Sequence, residues 1–270
     1  MGRMKPNQAK GLIEKHVSLQ HFDLTLVSPS PELATLVANY WIIEWDLPAG
    51  KAYAQEHLPH ASQHLVLDPQ YQSGVFGLTS GAFTYHLQGK GRIFGVKFRP
   101  GHFRRIASHK MNKLTDNCVP ISSYFAADDT ALLQEFAACK NCAAFAPNVE
   151  KIIKTRVCPQ DAKADLACNV VSFIEQNREV FEVAVVARHF DISPRALQRL
   201  FAEYVGIGPK WVIERYRMIE AIEALNNADA VSLTELSHAL GYFDQAHFSK
   251  AFKRLTGRRP SEIGLPQALG

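Results

Sequence analysis

The period of apolar positions changes along this chain. Between residues 24 and 99, short runs rich in aromatic and β-branched residues predict strands at 40–45, 64–67, 83–87 and 93–98. Turn formers separate them, among them Pro48, Gly50, Pro59, Pro69, Gly74, Gly81 and Gly89. One helix is predicted within this stretch, over 32–38 behind Pro31. Such texture suits a small barrel or sandwich. Beyond Pro100, apolar residues recur at spacings of three and four. Helices are then expected at 132–138, 149–153 and 166–174, with Pro147 and Pro159 marking the junction. The expected fold class is α+β in two domains: an N-terminal β-rich, barrel- or cupin-like domain with flanking helices, then an all-α domain. The expected boundaries are a flexible N-terminus at 1–20, a β-rich domain at 21–127, a helical connector at 128–160 and the helical domain at 161–270.

The helical domain repeats itself at a shift of 51 residues. Ser193 corresponds to Asp244, Leu197 to Phe248, Arg199 to Lys250, Phe201 to Phe252, Gly206 to Gly257 and Pro209 to Pro260. Ser193 and Asp244 are N-cap residues, and Gly206 and Gly257 supply the left-handed stop. Leu197, Leu200, Phe201 and Tyr204 fall on one face, as do Phe248, Ala251, Phe252 and Leu255, so both faces must be buried. Short helices at 183–190 and 233–240 precede the repeats, and the second connecting turn is one residue longer. Two such units, joined by a long helix at 209–226, are two helix-turn-helix motifs.

Composition narrows the function. Of 270 residues, 47% are hydrophobic and 21% charged, which excludes a disordered chain, and the net charge of +4 excludes a uniformly basic one. From Asp165 onward there are 12 Lys/Arg against 13 Asp/Glu, so bulk charge points away from the helical half. Within it the charge is sided: residues 195–217 and 244–262 each carry five basic residues against two acids. No apolar run reaches the roughly 18 residues of a membrane helix. The opening residues lack an apolar signal core, and five cysteines is an odd number, so a cytoplasmic protein without membrane contact is expected.

Two clusters invite an enzyme reading. Glu56, His57, His60, His64 and His86 suggest a cupin-like metal site, but the His-x-His of a barrel strand is absent. Cys139-Lys-Asn-Cys142 has the spacing of a zinc or redox pair, which Cys118 and Cys158 could complete. No second close pair exists, so separate free thiols are expected. A zinc/thiol-dependent or cupin-like enzyme fused to a DNA-binding domain is the alternative reading; the main reading has no catalysis, cofactor or metal.

Leu197-Gln-Arg-Leu-Phe201, Gly206, Arg217, Ala221, Leu236, Gly241-Tyr242, Asp244-Gln245, His247-Phe248-Ser249, Ala251-Phe252-Lys253, Gly257 and Pro260-Ser261 resemble the DNA-binding domain of the AraC/XylS family of bacterial transcription regulators. The resemblance covers about 165–265, with Phe243 standing where a small polar residue is common and Lys250 where Arg is common. Pro31-Glu32-Leu33, Tyr40-Trp41, Trp45-Asp46-Leu47-Pro48 and Gly95-Val96-Lys97-Phe98-Arg99-Pro100-Gly101 resemble a barrel-like sensory domain of uncharacterised function. The resemblance implies base contacts from Arg195, Gln198 and Arg199 in the first unit and from Gln245, Ala246, His247, Ser249 and Lys250 in the second. Arg215, Lys253, Arg254, Arg258 and Arg259 are the candidate phosphate contacts. Trp41, Trp45, His64, Tyr85 and Arg99 are the candidates for a ligand pocket, with core packing as the competing reading of the aromatics. The expected partners are double-stranded promoter DNA and RNA polymerase, with a small-molecule effector and a homodimer partner as candidates, and activation rather than repression is implied.

Overall fold

The computed structural model describes residues 3–4, 11–13, 15–156, 159–227 and 232–263. Its first part is a seven-stranded antiparallel sheet in the order β1-β2-β3-β8-β5-β6-β9, with a separate ribbon β4-β7. The strands are β1 (Arg3–Met4), β2 (Asp23–Val27), β3 (Val37–Asp46), β4 (Ala52–His57), β5 (His64–Leu67), β6 (Gly74–Phe76), β7 (Phe83–Gln88), β8 (Lys90–Phe98) and β9 (Cys118–Val119). The spine is the long β3–β8 pairing, running from Val37↔Phe98 to Asp46↔Lys90 with a register shift between Val37 and Asn39.

Alternation along β3 divides the core between the two faces of the sheet. Tyr40 and Ile42 pack with Phe94, Phe98, Phe103, Phe136 and Phe145 on one face. Trp45 and its neighbours Trp41 and Ile43 face the other way, toward Tyr53 and Leu87 of the ribbon. β1 and β9 remain as edges, so the barrel expected from the sequence does not close. The expected helix over 32–38 is a single 3-10 turn, Pro31–Leu33, because Val37 already belongs to β3. The described residues of the segment expected to be flexible include β1, the short helix α1 (Lys15–Ser18) and a fully buried Ile13; the rest of that segment lies outside the described residues.

The expected connector is part of the first core. Helices α2 (Asp129–Ala138) and α3 (Ala146–Lys154) cover the sheet, with Leu132, Phe136, Val149 and Ile153 buried in the same cluster as Tyr40 and Phe94. Glu150 of α3, itself buried, accepts hydrogen bonds from the Tyr40 hydroxyl at 3.1 Å and the Ser30 amide at 2.8 Å. Burial and this neighbouring carboxylate push the Tyr40 phenol upward.

The second part is helical: α4 (Ala162–Gln176), α5 (Val183–His189), α6 (Pro194–Tyr204), α7 (Pro209–Asn227), α8 (Leu233–Ala239) and α9 (Gln245–Thr256). Four residues separate α5 from α6 and five separate α8 from α9, the difference in turn length expected from the sequence. Ser193 Oγ accepts from the Ala196 amide at 3.1 Å and Asp244 Oδ1 from the His247 amide at 2.7 Å, so both caps form. Gly206 and Gly257 hold φ of +105° and +79°, the left-handed conformation the stops require. Each unit has its own core, one around Leu197 and Phe201 and the other around Phe248 and Phe252.

Candidate nucleic-acid interface

The buried faces of α6 and α9 determine which residues remain outside. With Leu197, Leu200, Phe201 and Tyr204 turned inward, Arg195, Gln198 and Arg199 are exposed on α6. Among the described residues no hydrogen bond or ion pair engages any of the three. On α9 the burial of Phe248, Ala251, Phe252 and Leu255 leaves Gln245, Ala246, His247 and Lys250 exposed and Ser249 half-buried. Here two of the polar groups, Gln245 and His247, are already in contact with protein. Gln245 Oε1 accepts from Thr234 of α8 at 3.1 Å, and the His247 ring meets Tyr242 edge-on at 5.3 Å. Arg can grip guanine O6 and N7 bidentately and Gln can pair with adenine, so both faces carry base-reading chemistry.

The candidate phosphate contacts divide. Lys253 and Arg259 are exposed. Arg254 is exposed but bound to Glu214 of α7 at 2.6 Å, which ties the second recognition helix to the long helix. Arg258 is half-buried and paired with Glu56 of β4 at 3.3 Å, so a phosphate must compete with a carboxylate of the first part. Arg215 is a correction. It is 1% exposed, its Nε donates to the Pro59 carbonyl, and its Nη2 lies 3.3 Å from His60 Nδ1, so it cannot reach a phosphate. Burial lowers its pKa, and the cation stacks on Tyr216 at 4.8 Å.

Arg215 belongs to a junction between the two parts. Trp211 Nε1 donates to Ser80 O at 2.8 Å, Gln63 Nε2 to Val205 O at 2.8 Å, Thr115 Oγ1 to Gly206 O at 2.7 Å and Asn226 Nδ2 to Ile13 O at 3.1 Å. Leu78 and Ala61 enter the core of the first unit, and Ile13 and Leu58 that of the second. His60 sits between Lys97 Nζ at 3.2 Å and Arg215. Burial first, then these cations, hold its pKa well below the ordinary value; burial brings His57 to about 4, and burial with Lys97 brings His64 to about 3. No metal-binding group of His, Cys, Asp or Glu forms among the described residues.

Of the ligand candidates, Trp41, Trp45 and Tyr85 share one cluster on the ribbon side of the sheet, and their polar atoms already have protein partners. Trp41 Nε1 donates to His64 Nδ1 at 3.2 Å, Trp45 is buried with its Nε1 on Gln88 O at 3.1 Å, and the Tyr85 hydroxyl donates to Asp68 at 2.7 Å. Arg99 lies past the end of β8, bound to Ala34 O at 2.7 Å. One surface cleft of about 440 Å³ is lined from α2 and α3, and another of about 280 Å³ by Phe181, Glu220, Leu236 and their neighbours; neither includes a ligand candidate. The four described thiols are free, as expected, but not all are separate: Cys139 and Cys142 have sulfurs 4.0 Å apart, while Cys118 and Cys168 stand on β9 and α4, and Cys158 lies outside the described residues.

The sequence reading missed Lys210, exposed in the first turn of α7, whose only signal is a Lys directly after the helix-starting Pro209. Phe243 entered it as a departure from a pattern; the structure leaves it 87% exposed in the turn ahead of the Asp244 cap.

Residues 186–264 match the model of a helix-turn-helix domain and residues 25–120 that of a domain of unknown function. The chain is 32% identical over 107 residues to the arabinose operon regulatory protein of Escherichia coli, covering 39% of this chain and 35% of that protein. It is 30% identical over 105 residues to the transcriptional activator RhaS of Escherichia fergusonii, covering 38% and 37%. The chain therefore spans little more than a third of the length of these curated relatives. Among solved structures it resembles the DNA-binding domain of AdpA in complex with a target DNA, at 24% identity and TM-score 0.33, covering 40% of this chain and all of that one. Among the described residues no helix is long and apolar enough to cross a membrane.

Proposed function

We propose that the protein is a sequence-specific transcription regulator of the AraC type that inserts α6 and α9 into successive major grooves of promoter DNA, a reading supported by the match of residues 186–264 to a helix-turn-helix domain. The observation that carries this reading is the exposed, unengaged trio Arg195, Gln198 and Arg199 on a helix whose opposite face is locked into its own core. Successive major grooves on one face of B-DNA lie about 34 Å apart. The rigid α7 that joins the units suits one chain to an asymmetric site. Lys253, Arg259 and Lys210 supply phosphate contacts that set register without reading sequence.

The first part modulates this activity through the junction. An effector acts only by preferring one arrangement of the two parts over another. Its lever here is the Arg258–Glu56 pair and the Arg215 contacts with Pro59 and His60. RNA polymerase is the partner through which the bound protein acts on transcription, with activation favoured because the RhaS relative is named a transcriptional activator.

Selection from a random DNA pool at moderate salt, followed by footprinting, tests the reading. Two protected segments one helical turn apart, altered by Arg199→Ala, are expected. Enrichment of no sequence at low salt would refute it.

A further inference from the structure

Cys139 and Cys142 take no part in the proposed DNA interface, yet the fold builds a setting around them. Cys139 is the C-cap of α2, with φ of −69° and ψ of 139°. Asn141 caps the following 3-10 turn, Cys142–Phe145, by accepting from the Ala143 amide at 3.1 Å. The two-residue link folds back so that the two sulfurs lie 4.0 Å apart.

Arg92 of β8 reaches across from the sheet. Its Nη2 donates to Ala137 O at 2.5 Å and its Nη1 to Cys139 O at 2.6 Å, which fixes the guanidinium on the end of α2. So held, Nη1 stands 3.5 Å from Cys142 Sγ and 3.9 Å from Cys139 Sγ. The cation also lies 5.8 Å from the centre of the Phe136 ring. Cys142 is 1% exposed, while Cys139 is half-buried and open to a reagent.

We propose that Cys139 and Cys142 form a redox-active dithiol that closes reversibly to a disulfide by exchange with a small-molecule disulfide such as glutathione disulfide. The Cys139 thiolate attacks one sulfur of that disulfide; the S–S bond breaks, one glutathione thiolate leaves, and Cys139 becomes a mixed disulfide. Cys142 then gives up its proton and attacks Cys139 Sγ; the second glutathione leaves, and the two leaving thiolates take up the two protons. Two protein thiols are oxidised and one disulfide is reduced.

The sulfurs need approach by only about 2 Å to reach the bonded separation of about 2.05 Å. The Arg92 charge favours the thiolate of Cys142. For Cys142 burial, which pushes its thiol up to about 11, outweighs this help, so the half-buried Cys139, which a reagent can reach, takes the first step and the buried Cys142 resolves it.

The test is a redox titration of the full chain in glutathione buffers, with alkylation of remaining thiols and peptide mass analysis. A Cys139–Cys142 disulfide whose fraction follows the glutathione ratio and is reversed by dithiothreitol is expected, with Cys118 and Cys168 alkylated throughout. Cys142→Ser should stop at glutathione attached to Cys139, and Arg92→Gln should slow closure several-fold. The proposal is overturned if both cysteines stay alkylatable in the most oxidising buffer, if the wild type halts at the mixed disulfide, or if either cysteine pairs elsewhere. The wild-type titration decides the matter even where a variant fails to fold.

Discussion

Phe201 of α6 and Phe252 of α9 stand 51 residues apart at the same place in the two helix-turn-helix units, both fully buried, beneath polar faces of different condition. In the first unit Arg195, Gln198 and Arg199 are held by nothing else in the described protein. In the second, Gln245 bonds to Thr234, Arg254 to Glu214 and Arg258 to Glu56. A side chain without a protein partner forms its DNA contact without first losing another. The comparison teaches that a duplicated scaffold does not imply duplicated reading: the first unit is arranged for base specificity, and the second for attachment that competes with contacts inside the protein.

The largest expected effect tests whether the scaffolds are equivalent. Phe201→Ala and Phe252→Ala should each cost about 3–5 kcal/mol of stability, since each empties a fully buried aromatic site. Chemical denaturation followed by circular dichroism measures this. A loss below about 1 kcal/mol at one site only would mean that the two cores are not counterparts.

Acid should loosen the junction that bears on both units. His57, His60 and His64 are held neutral, with pKa values of about 4 for His57, about 3 for His64 and well below the ordinary 6.5 for His60. A lowered folded pKa means that the unfolded chain binds protons more readily. Stability is then fully present above about pH 6.5 and declines as pH falls toward the folded values. For each such histidine the expected loss between pH 7.5 and 5 is on the order of 2 kcal/mol, measured from the urea midpoint. His60→Asn should flatten the dependence. A midpoint that rises on acidification would contradict this account of the junction.

Arg199→Ala should weaken specific DNA binding by about 1–3 kcal/mol and relax preference at one base pair, whereas Lys253→Ala on α9 should weaken binding to all sequences evenly and reduce the salt slope by about one contact. Equal loss of specificity from both would erase the contrast between the units.

Much of this was readable in the sequence because it is local. Ser193 and Asp244 cap through amides three residues on, and the faces of α6 and α9 follow from spacings of three and four. What failed depends on distant partners. Arg215 reads as an outward cation on α7, and the Pro59 carbonyl and His60, more than 150 residues earlier, together with the Tyr216 ring and Glu175, make its burial tolerable. Four strands, β3, β5, β7 and β8, were legible from aromatic and β-branched runs, while β1, β2, β4, β6 and β9 were not; whether the sheet closes depends on which strands become the β1 and β9 edges, and no short run records that. Trp41 and Trp45 carry the same aromatic signal whether they line a pocket or fill the space beneath the ribbon, and here their indole N–H groups are bonded to His64 and Gln88.

The smallest expected effect sharpens the comparison most, because it addresses why the second unit is engaged. Arg258 and Glu56 form an ion pair that is partly shielded from solvent, with side chains 15% and 23% exposed. Glu56→Gln keeps the shape and removes the charge, so the Arg258 guanidinium, still held by the Glu262 carbonyl, loses the carboxylate that competes with a phosphate. DNA affinity should then rise about two- to fivefold, equivalent to roughly 0.5–1 kcal/mol, with a salt slope steeper by about one contact. Arg258→Ala should lose affinity and should make the Glu56 change silent, since the charge it releases is gone. Titration of the selected site at two salt concentrations separates these outcomes. An affinity for Glu56→Gln at or below that of the parent chain would mean that the pair fixes the junction without restraining the second unit.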